Sequence, residues 1–463
     1  MAINHTNSVI AAISTPLTEG AISVVRMSGN GSLEIADKIF RSISDKSKKV
    51  SDMKGYTCAY GVILDGEKRV DDAVLTVFRA PHSYTGEDVA EISCHGGVYV
   101  TKKILRLCCE NGARPAERGE FTKLAFLNGK LSLTQAESVA DIISAQGDLA
   151  LRSANLAREG ELFRRIDGIK QRLVKLLGEL AAWVDYPEED LPEVETETML
   201  ATLRSCKDEA EKLIRSYDNG MLLKNGIPAV IAGRPNVGKS TLMNLLLGYE
   251  RAIVTDIAGT TRDVLEETVR LGEITLKLSD TAGIRSTGDE VERIGVELAR
   301  KKLSESALTI AVFDGSAPPS DEDKRLAKEL SDNCGGNVII LINKADKGVC
   351  GGWSELFISF DKRLEISAKT GEGREYLEKI IAEMFSLAGE DSSMIFINER
   401  QKYCLERAKN SFDSAISAIE MGMTLDAVTI SVSEAASELA QLTGERITDS
   451  IVDEVFSKFC VGK

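Results

Sequence analysis

The sequence AVIAGRPNVGKSTLMNLLL, residues 229–247, decides the fold of the central part of the chain. An apolar run typical of a strand leads into the glycine-rich loop 233–240, and a helical pattern follows. This order predicts a phosphate-binding loop, because the backbone N–H groups of such a loop turn inward at a helix N-terminus. Lys239 is then expected to contact the β and γ phosphates of a nucleotide, and the Ser240 hydroxyl to ligate Mg²⁺.

Two further motifs follow downstream, each at the end of a predicted strand. Residues 280–283, DTAG, end the strand ITLKLSD, which places Asp280 near Mg²⁺ and makes Gly283 a sensor of the γ-phosphate. Residues 343–346, NKAD, end a later strand, where the Asp346 carboxylate can accept hydrogen bonds from guanine N1 and N2. Their order and spacing predict a GTP-binding domain.

Two further segments complete the predicted nucleotide site. Ser-Ala-Lys at 367–369 resembles the loop that backs the base, and TDIAGTTRD at 255–263 is typical of a switch region in which Thr261 reaches Mg²⁺. A polar, threonine-rich surface loop is the alternative for the second segment. The predicted GTP contacts are Asn236, Val237, Gly238, Lys239, Ser240, Thr241, Thr255, Asp256, Ile257, Ala258, Gly259, Thr260, Thr261, Asp280, Thr281, Ala282, Gly283, Asn343, Lys344, Asp346, Ser367, Ala368 and Lys369.

The residue after DTAG is Ile284, at the position where Ras-like GTPases carry the glutamine that orients the attacking water. Isoleucine cannot orient water, so another group must do so. Glu292 in the acidic segment 288–295 is the candidate, and an ordinary exposed charge at a helix start is the alternative. No motif identifies an arginine finger, a group worth about 10³ to 10⁵ in rate, although Arg285 could be offered.

The flanking sequence predicts a multidomain protein. Alternating strands and helices predict a doubly wound α/β P-loop (Ras-like) G domain over residues 223–388, and β-rich segments with glycine turns predict an α+β domain over 1–130. Residues 131–222 and 389–463 carry apolar residues at helical spacing. We interpret these two stretches as one helical domain into which the nucleotide domain is inserted; two separate helical units are the alternative.

Composition excludes several classes of protein. A chain of 463 residues, 43% hydrophobic and 28% charged, is expected to form about three soluble domains, and no apolar run approaches the roughly 20 residues of a membrane span. The N-terminus lacks signal-peptide features, so we expect a cytoplasmic protein. Nine cysteines without a CxxC pair indicate reduced thiols. A net charge of −15 predicts that any nucleic-acid contact is local or assisted by a partner.

The whole chain, beyond the nucleotide motifs, resembles the MnmE (TrmE) family of tRNA uridine-modification GTPases. The resemblance runs from the N-terminus to the last residue. The segments that carry it are ISTP (13–16), VVRMSG (24–29), SYTGEDVAEISCHGG (83–97), RPAERGEFTKLAFLNGKLSLTQAE (114–137), GRPNVGKSTLMN (233–244), TDIAGTTRDV (255–264), DTAGIR (280–285), DEVERIG (289–295) and FCVGK (459–463).

The resemblance implies a potassium-stimulated GTPase whose nucleotide domains pair across a dimer. By similarity Glu292 matches the family's water-orienting glutamate, and Mg²⁺ is held by Ser240 and Thr261. In place of an arginine finger, K⁺ is bound by Asn236, the carbonyls of Thr255 and Ile257, and Thr260.

The resemblance also implies that the N-terminal domain forms a homodimer and binds 5-formyl- or 5,10-methylene-tetrahydrofolate. A folate offers a pterin edge to a carboxylate and a glutamate tail to cations. From the residues alone, the four matching positions would be ordinary surface charges. They are Arg26, Glu91, Lys130 and the terminal Lys463.

The tail FCVGK leaves two interpretations of Cys460 open. The family motif suggests a catalytic thiol in the modification chemistry, whereas the residue could equally be a small apolar contact beside Phe459. Val461 stands where the family usually has isoleucine, a loss of one methylene that puts little in doubt.

No GxGxxG fingerprint follows a strand, so no FAD or NADH is expected on this chain. The family implies an FAD-dependent partner, MnmG, in a heterotetramer or larger complex that also binds tRNA. Together they install an aminomethyl or carboxymethylaminomethyl group on carbon 5 of the wobble uridine. One alternative is a ribosome-assembly or RNA-binding switch, which predicts a basic module beside the GTPase. Another is a pure signalling switch, which leaves the first 130 residues unexplained.

Overall fold

The computed structural model of the chain describes residues 8–43, 49–185, 195–248, 266–272, 274–280, 306–333, 337–385 and 395–463. The chain divides into two compact units, each built from segments that are distant in sequence. The first comprises Met1–Ala140, Ala157–Lys207 and Arg407–Lys463. The second comprises Asp141–Leu156 and Asp208–Glu406.

A seven-stranded sheet organises the first unit. Its spatial order is β3-β4-β5-β6-β2-β1-β7, antiparallel except for the parallel pair β1 and β7. The strands are β1 (Ile10–Ile13), β2 (Ile22–Ser28), β3 (Phe40–Ser42), β4 (Thr57–Asp65), β5 (Lys68–Phe78), β6 (Val89–His95) and β7 (Arg114–Pro115).

Helices cover one face of this sheet. Side chains alternate between the two faces of a strand, so Val25 and Ile92 enter a core that also contains Ile39 of helix α1 (Ser32–Ile39) and Ile104 of α2 (Val98–Glu110). The opposite face carries Arg26 and Glu91 together with the exposed side chains of Ile22, Tyr60 and Val74. That face therefore combines charge with apolar surface.

Long helices make up most of the remaining chain outside the nucleotide domain. The predicted helical spacing is confirmed, because Ile166, Ile169 and Leu173 are all buried in one helix and Phe412 in another. The helices are α3 (Glu120–Leu127), α4 (Leu133–Ser144), α5 (Asp148–Arg158), α6 (Glu161–Asp185), α7 (Thr196–Asn225), α12 (Glu399–Glu420), α13 (Leu425–Thr443) and α14 (Asp449–Ser457).

The second unit contains a six-stranded sheet in the order β13-β12-β11-β8-β10-β9, parallel except for β9 with β10. Its strands are β8 (Ile227–Ala232), β9 (Glu266–Leu271), β10 (Ile274–Asp280), β11 (Leu308–Asp314), β12 (Val338–Asn343) and β13 (Arg363–Ile366). Its helices are α8 (Lys239–Leu247), α9 (Asp321–Asn333), α10 (Trp353–Leu356) and α11 (Arg374–Phe385).

This sheet has a core on each face. Ile310 and Val312 of β11 enter one apolar cluster, whereas their neighbours Ala311 and Phe313 enter another with Trp353. A strand buried on both sides is a near-continuous apolar run, which explains the sequence LTIAVF. The predicted doubly wound α/β domain is confirmed.

Two further properties bear on function. Among the described residues, no helix is both long and apolar enough to cross a membrane. Each of the eight cysteines in the described part of the chain is a free thiol.

Candidate functional site

The predicted nucleotide residues lie along one edge of the second unit's sheet. Parallel strands present their carboxyl ends at a common edge, which is where ligands bind in open α/β sheets. The register pairs Asp314 with Asn343, and Asn343 in turn with Ile366, directly before Ser367. Asp280 pairs with Ile231, near the end of the strand that enters the phosphate loop. Motifs that are separated in sequence thus end at adjacent points of one sheet edge.

The phosphate loop adopts a backbone that its sequence requires. Asn236 and Gly238 have φ angles of 65° and 103°, in the left-handed region. A Cβ on Gly238 would lie 2.2 Å from Asn343 Nδ2, so glycine is needed there for close approach as well as for φ. The Lys239 ammonium donates to the carbonyl oxygens of Gly233 and Arg234, the second at 3.3 Å.

The start of helix α8 faces outward beside this loop. The side chains of Asn236, Ser240 and Thr241 are exposed, whereas Val237 between them is buried. A helix N-terminus presents unpaired backbone N–H groups and a partial positive charge, which suits a phosphate. The loop, Lys239 and the Ser240 hydroxyl therefore fit a nucleotide phosphate with Mg²⁺.

Asn343 ties the phosphate loop to the loop expected to back the base. Its side chain is buried, with 2% of the residue exposed. Nδ2 donates to the Val237 carbonyl at 2.8 Å, and Oδ1 accepts from the Ala368 N–H at 2.9 Å. A buried amide with donor and acceptor both satisfied holds its two partners at fixed separation. Asn343 is thus a structural link inside the site.

The two charged residues of the NKAD motif make separate contacts. Lys344, at φ 66°, donates from Nζ to the Asn236 carbonyl at 2.9 Å and so reaches the phosphate loop as well. The Ser367 hydroxyl donates to Asp346 Oδ1 at 2.8 Å, which fixes the carboxylate expected to select guanine. Lys369 is exposed beside them.

Sequence reasoning missed Asp314. Lys344 Nζ lies 2.5 Å from Asp314 Oδ2, and Ser316 donates to Oδ1. Burial opposes ionisation of this carboxyl, but the hydrogen bonds from Lys344 and Ser316 outweigh it and hold the pKa of Asp314 below its usual value. The signal was present, because Asp314 ends a buried strand as Asp280 and Asn343 do.

Arg234 was also overlooked, although it stands inside the quoted loop. Its Nε donates to Asp323 Oδ1 at 2.6 Å, and Asp323 is fully buried at the start of helix α9. No sequence motif links the two residues, which are 89 positions apart.

Several predicted residues lie outside the described part of the chain, so no contacts are given for them. Asp280 is placed by its backbone in β10, and its side chain is likewise not described. The residues outside are Thr255, Asp256, Ile257, Ala258, Gly259, Thr260, Thr261, Thr281, Ala282, Gly283, Ile284, Arg285 and Glu292.

A second group of predicted residues meets on the face of the first unit's sheet opposite helices α1 and α2, where Phe121 of helix α3 packs against β1. Arg26 and Glu91 are paired in the register of β2 and β6, and both the Arg26 Nε and a terminal nitrogen contact Glu91 Oε1, at 2.8 and 2.7 Å. The Arg26 guanidinium also lies over the rings of Tyr84 and Phe121, at 5.9 and 5.6 Å from the ring centroids. Charged and aromatic groups thus share one partly exposed site.

The C-terminal tail joins this site. Arg26 donates to the Gly462 carbonyl at 3.4 Å, and the Ser14 hydroxyl donates to the same oxygen at 3.2 Å. The Phe121 N–H, in the first turn of helix α3, donates to the Lys463 oxygen at 3.2 Å. Lys463 is therefore held beside Arg26 through its backbone. Cys460 is exposed, and its carbonyl accepts from the Gly119 N–H.

Lys130, in the turn between helices α3 and α4, contacts the loop between β5 and β6 that supplies Tyr84. Its Nζ donates to the Pro81 carbonyl at 2.9 Å, and its stem packs against Gly86. Tyr84, between these positions, bonds to Thr122 at 2.9 Å and lies under Arg26. The structure thus connects Lys130 to the Arg26 site through this loop, although no direct contact between the two side chains is found among the described residues.

Within the described ranges, no group of three or more His, Cys, Asp or Glu side chains could hold a metal ion. Hydroxyl ligands of the kind expected from Ser240 belong to a different class of site, in which phosphate oxygens complete the coordination.

Comparison with known proteins identifies the family. A model described as the MnmE helical domain matches residues 133–460, and one described as the GTP-binding protein TrmE N-terminus matches residues 9–130. A protein of Carboxydothermus hydrogenoformans named tRNA modification GTPase MnmE is 43% identical over 461 residues, covering 98% of this chain and 99% of its own. Another of that name, from Acetivibrio thermocellus, is 40% identical with the same coverage.

Among solved structures, the G domain of the T. maritima FeoB iron transporter matches 34% of this chain and 97% of its own at 26% identity, with a TM-score of 0.26. The family assignment does not depend on this likeness. Two family models and relatives matched over nearly their full length lead to one conclusion: the chain belongs to the MnmE (TrmE) family of tRNA modification GTPases.

Proposed function

We propose that this chain hydrolyses GTP to drive a cycle of G-domain dimerisation within a complex that modifies carbon 5 of the wobble uridine in certain tRNAs. The observation that carries the proposal is the full-length relationship to proteins named tRNA modification GTPases. The chain is a GTP hydrolase by family, and the sheet edge with its phosphate loop and NKAD motif offers chemistry suited to that reaction.

The described residues support nucleotide binding as follows. Loop N–H groups and Lys239 would hold the phosphates, and Asp346, oriented by Ser367, would accept hydrogen bonds from guanine N1 and N2. Mg²⁺, held by Ser240 and Thr261, would neutralise charge that develops on the phosphate oxygens. Asn343 would keep the phosphate loop and the base loop at a constant separation.

Hydrolysis also needs a group that orients water and a cation near the leaving phosphate. We assign the first role to Glu292, since Ile284 cannot perform it. We assign the second to K⁺, which Asn236, Thr260 and the carbonyls of Thr255 and Ile257 would hold. K⁺ would supply the positive charge that an arginine finger supplies elsewhere.

The one-carbon unit would come from 5-formyl- or 5,10-methylene-tetrahydrofolate bound at Arg26, Glu91, Lys130 and Lys463. Support comes from the partly exposed Arg26–Glu91 pair, whose charges suit a pterin edge and a glutamate tail, and from the aromatic rings beside it. The exposed apolar residues of the same sheet face would be covered in a homodimer.

The partner would be MnmG, an FAD-dependent protein, since this chain carries no dinucleotide fingerprint. The net charge of −15 supports a division of labour in which the partner holds much of the tRNA in the cytoplasmic complex. Whether Cys460 takes part in the chemistry is a separate hypothesis, supported by the exposure of its side chain.

The experiment is mass spectrometry of tRNA nucleosides from cells lacking this chain, with the wild-type gene and Glu292→Ala returned on a plasmid. We expect loss of the carbon-5-modified wobble uridines, rescue by the wild type and failure of Glu292→Ala to rescue. An unchanged nucleoside profile in the deletion strain would sink the proposal and favour a ribosome-assembly or signalling switch.

Purified protein tests the hydrolysis mechanism. Glu292→Ala should abolish turnover and leave GTP affinity intact, and exchange of K⁺ for Na⁺ should slow the wild type strongly. Near-normal turnover in the variant would remove the glutamate assignment. A rate indifferent to the cation would remove K⁺ from the mechanism without affecting the rest.

A further inference from the structure

The phosphate loop is tethered from two sides, and only one tether belongs to a recognised nucleotide motif. Asn343 and Lys344 hold its second half through the carbonyls of Val237 and Asn236. Its first half is held from another direction by Arg234, whose Nε donates to the Asp323 carboxylate at 2.6 Å. The motif residues therefore do not account for the whole support of the loop.

Asp323 is an unusual partner because its carboxylate is fully buried. Asp323 and Ser320 form a reciprocal cap at the start of helix α9. Asp323 Oδ2 accepts from the Ser320 hydroxyl at 2.7 Å and from the Ser320 N–H at 2.9 Å. In return, the Asp323 N–H donates to the Ser320 hydroxyl at 3.3 Å. The cap uses one carboxylate oxygen. The other, Oδ1, is used by Arg234.

A buried carboxylate needs a charge partner, since isolated charge is costly to take out of water. Arg234 supplies that partner, and its side chain remains about a quarter exposed. A second carboxylate, Glu322 Oε2, lies 3.9 Å from Arg234 Nη1. The backbone of Arg234 is equally committed, because its carbonyl accepts from Lys239 Nζ at 3.3 Å. A shift of Arg234 would move an oxygen that positions the ammonium expected at the phosphates.

We propose that Arg234 and Asp323 form a positioning pair that fixes the first half of the phosphate loop, and with it Lys239, for binding and hydrolysis of GTP. Neither residue touches the reacting atoms. Pro235, next to Arg234, has no N–H to donate, so side-chain tethers carry more of the loop's support. Preorganised groups around a reaction site lose catalytic power when they shift by about 1 Å.

The inference rests on the proposed GTPase activity, and it is tested with the full-length chain. Arg234→Met keeps the aliphatic stem and removes every donor, Asp323→Asn removes the charge, and the double variant completes a mutant cycle. Arg234→Lys keeps the charge but lacks the planar Nε donor. Asp321→Asn and Lys324→Gln are matched controls, because they disrupt an exposed 3.1 Å pair on the same helix.

We expect each single variant at positions 234 and 323 to weaken GTP and GDP affinity about tenfold and to lower kcat, and the double variant to be no worse than either single one. Arg234→Lys should recover part of the loss. The two control variants should bind like the wild type. Affinity is measured with fluorescent GTP and GDP analogues, kcat by phosphate release, and the melting temperature on the same samples.

A merely structural role would lower the melting temperature and leave nucleotide affinity and kcat at wild-type values; that result overturns the inference. Additive effects in the double variant would overturn it too, since they would mean that the residues act independently. If Arg234→Met does not fold, the nucleotide affinity and kcat of Arg234→Lys are compared with those of the control Lys324→Gln, and equal values overturn the inference. Failure of the wild type to bind GTP would instead overturn the proposed function itself.

Discussion

The nucleotide edge of the second unit and the Arg26 site of the first unit are assembled in different ways. The nucleotide edge joins short motifs, each of which follows a parallel strand of one sheet, and Asn343 links two of them. The Arg26 site joins the two ends of the chain: Arg26 and Ser14 bond to Gly462, which lies 436 and 448 positions away. The first arrangement follows from the common direction of parallel strands in a sheet, whereas the second depends on how the C-terminal tail packs against β1 and β2.

The difference has a physical origin. Parallel strands deliver their carboxyl ends to one edge whatever the loops contain, so local motifs suffice to build a site there. The position of a five-residue tail is not set by strand direction, so a few hydrogen bonds and close contacts determine it. We therefore expect changes at the nucleotide edge to have large effects and changes in the tail to have moderate ones.

The largest effect is expected at Gly238. In Gly238→Ala the new Cβ, at φ 103°, would lie 2.2 Å from Asn343 Nδ2 and displace a side chain that is bonded on both sides. GTP affinity should fall about 1000-fold, roughly 4 kcal/mol. Isothermal titration calorimetry measures it. Gly272→Ala, also at positive φ but in open space, is the control and should keep wild-type affinity; equal losses in both would contradict the close-contact argument.

The next effect is expected at Asp346. Asp346→Asn replaces an acceptor-only carboxylate, held by Ser367, with an amide that also donates. GTP affinity should fall about 100-fold, because hydrogen bonds to charged groups contribute roughly 1.5–3 kcal/mol each. Competition with xanthosine triphosphate checks specificity, since its base carries an oxygen where guanine has an amino group. A variant that still prefers GTP would disprove the role of Asp346 in base selection.

A moderate effect is expected in the tail. A Cβ on Gly462, at φ 92°, would lie 2.4 Å from the Ile13 carbonyl, so Gly462→Ala should lift the tail from β1. Affinity for 5-formyltetrahydrofolate should fall about tenfold, roughly 1.4 kcal/mol. Val461→Ala, at a half-exposed neighbour, is the control. Unchanged affinity in Gly462→Ala would separate the tail from the folate site.

The smallest effect is expected from the Lys344–Asp314 pair. A carboxyl whose folded pKa is depressed contributes stability above its unfolded pKa, here 3.8, and loses that contribution as the pH falls through the lower folded value. Above pH 5, Asp314→Asn should be less stable than the wild type by about 1 kcal/mol. Below pH 3.8 the difference in melting temperature should shrink. A constant difference down to pH 2 would show that ionisation of Asp314 is irrelevant.

More of the nucleotide edge than of the Arg26 site could be predicted from the sequence, because the nucleotide edge is built from local motifs. Lys239, Asn343 and Asp346 were predicted from motifs whose neighbours in sequence already specify strand, turn and helix. Arg26 and Glu91 were identified by family resemblance alone, because a charged residue on an exposed strand face has no local pattern. Their pairing follows from the antiparallel register of β2 and β6, which only the structure gives.

By itself, the sequence determined the α/β nucleotide domain, the helical segments and the positions of the phosphate and base loops, because apolar periodicity, glycine backbone freedom and strand termini are local properties. The tertiary structure decided which distant residues meet. It placed Arg234 on buried Asp323, Asp314 on Lys344 and the C-terminal tail on Arg26. Such contacts depend on the packing of whole elements, so no short window of sequence contains them.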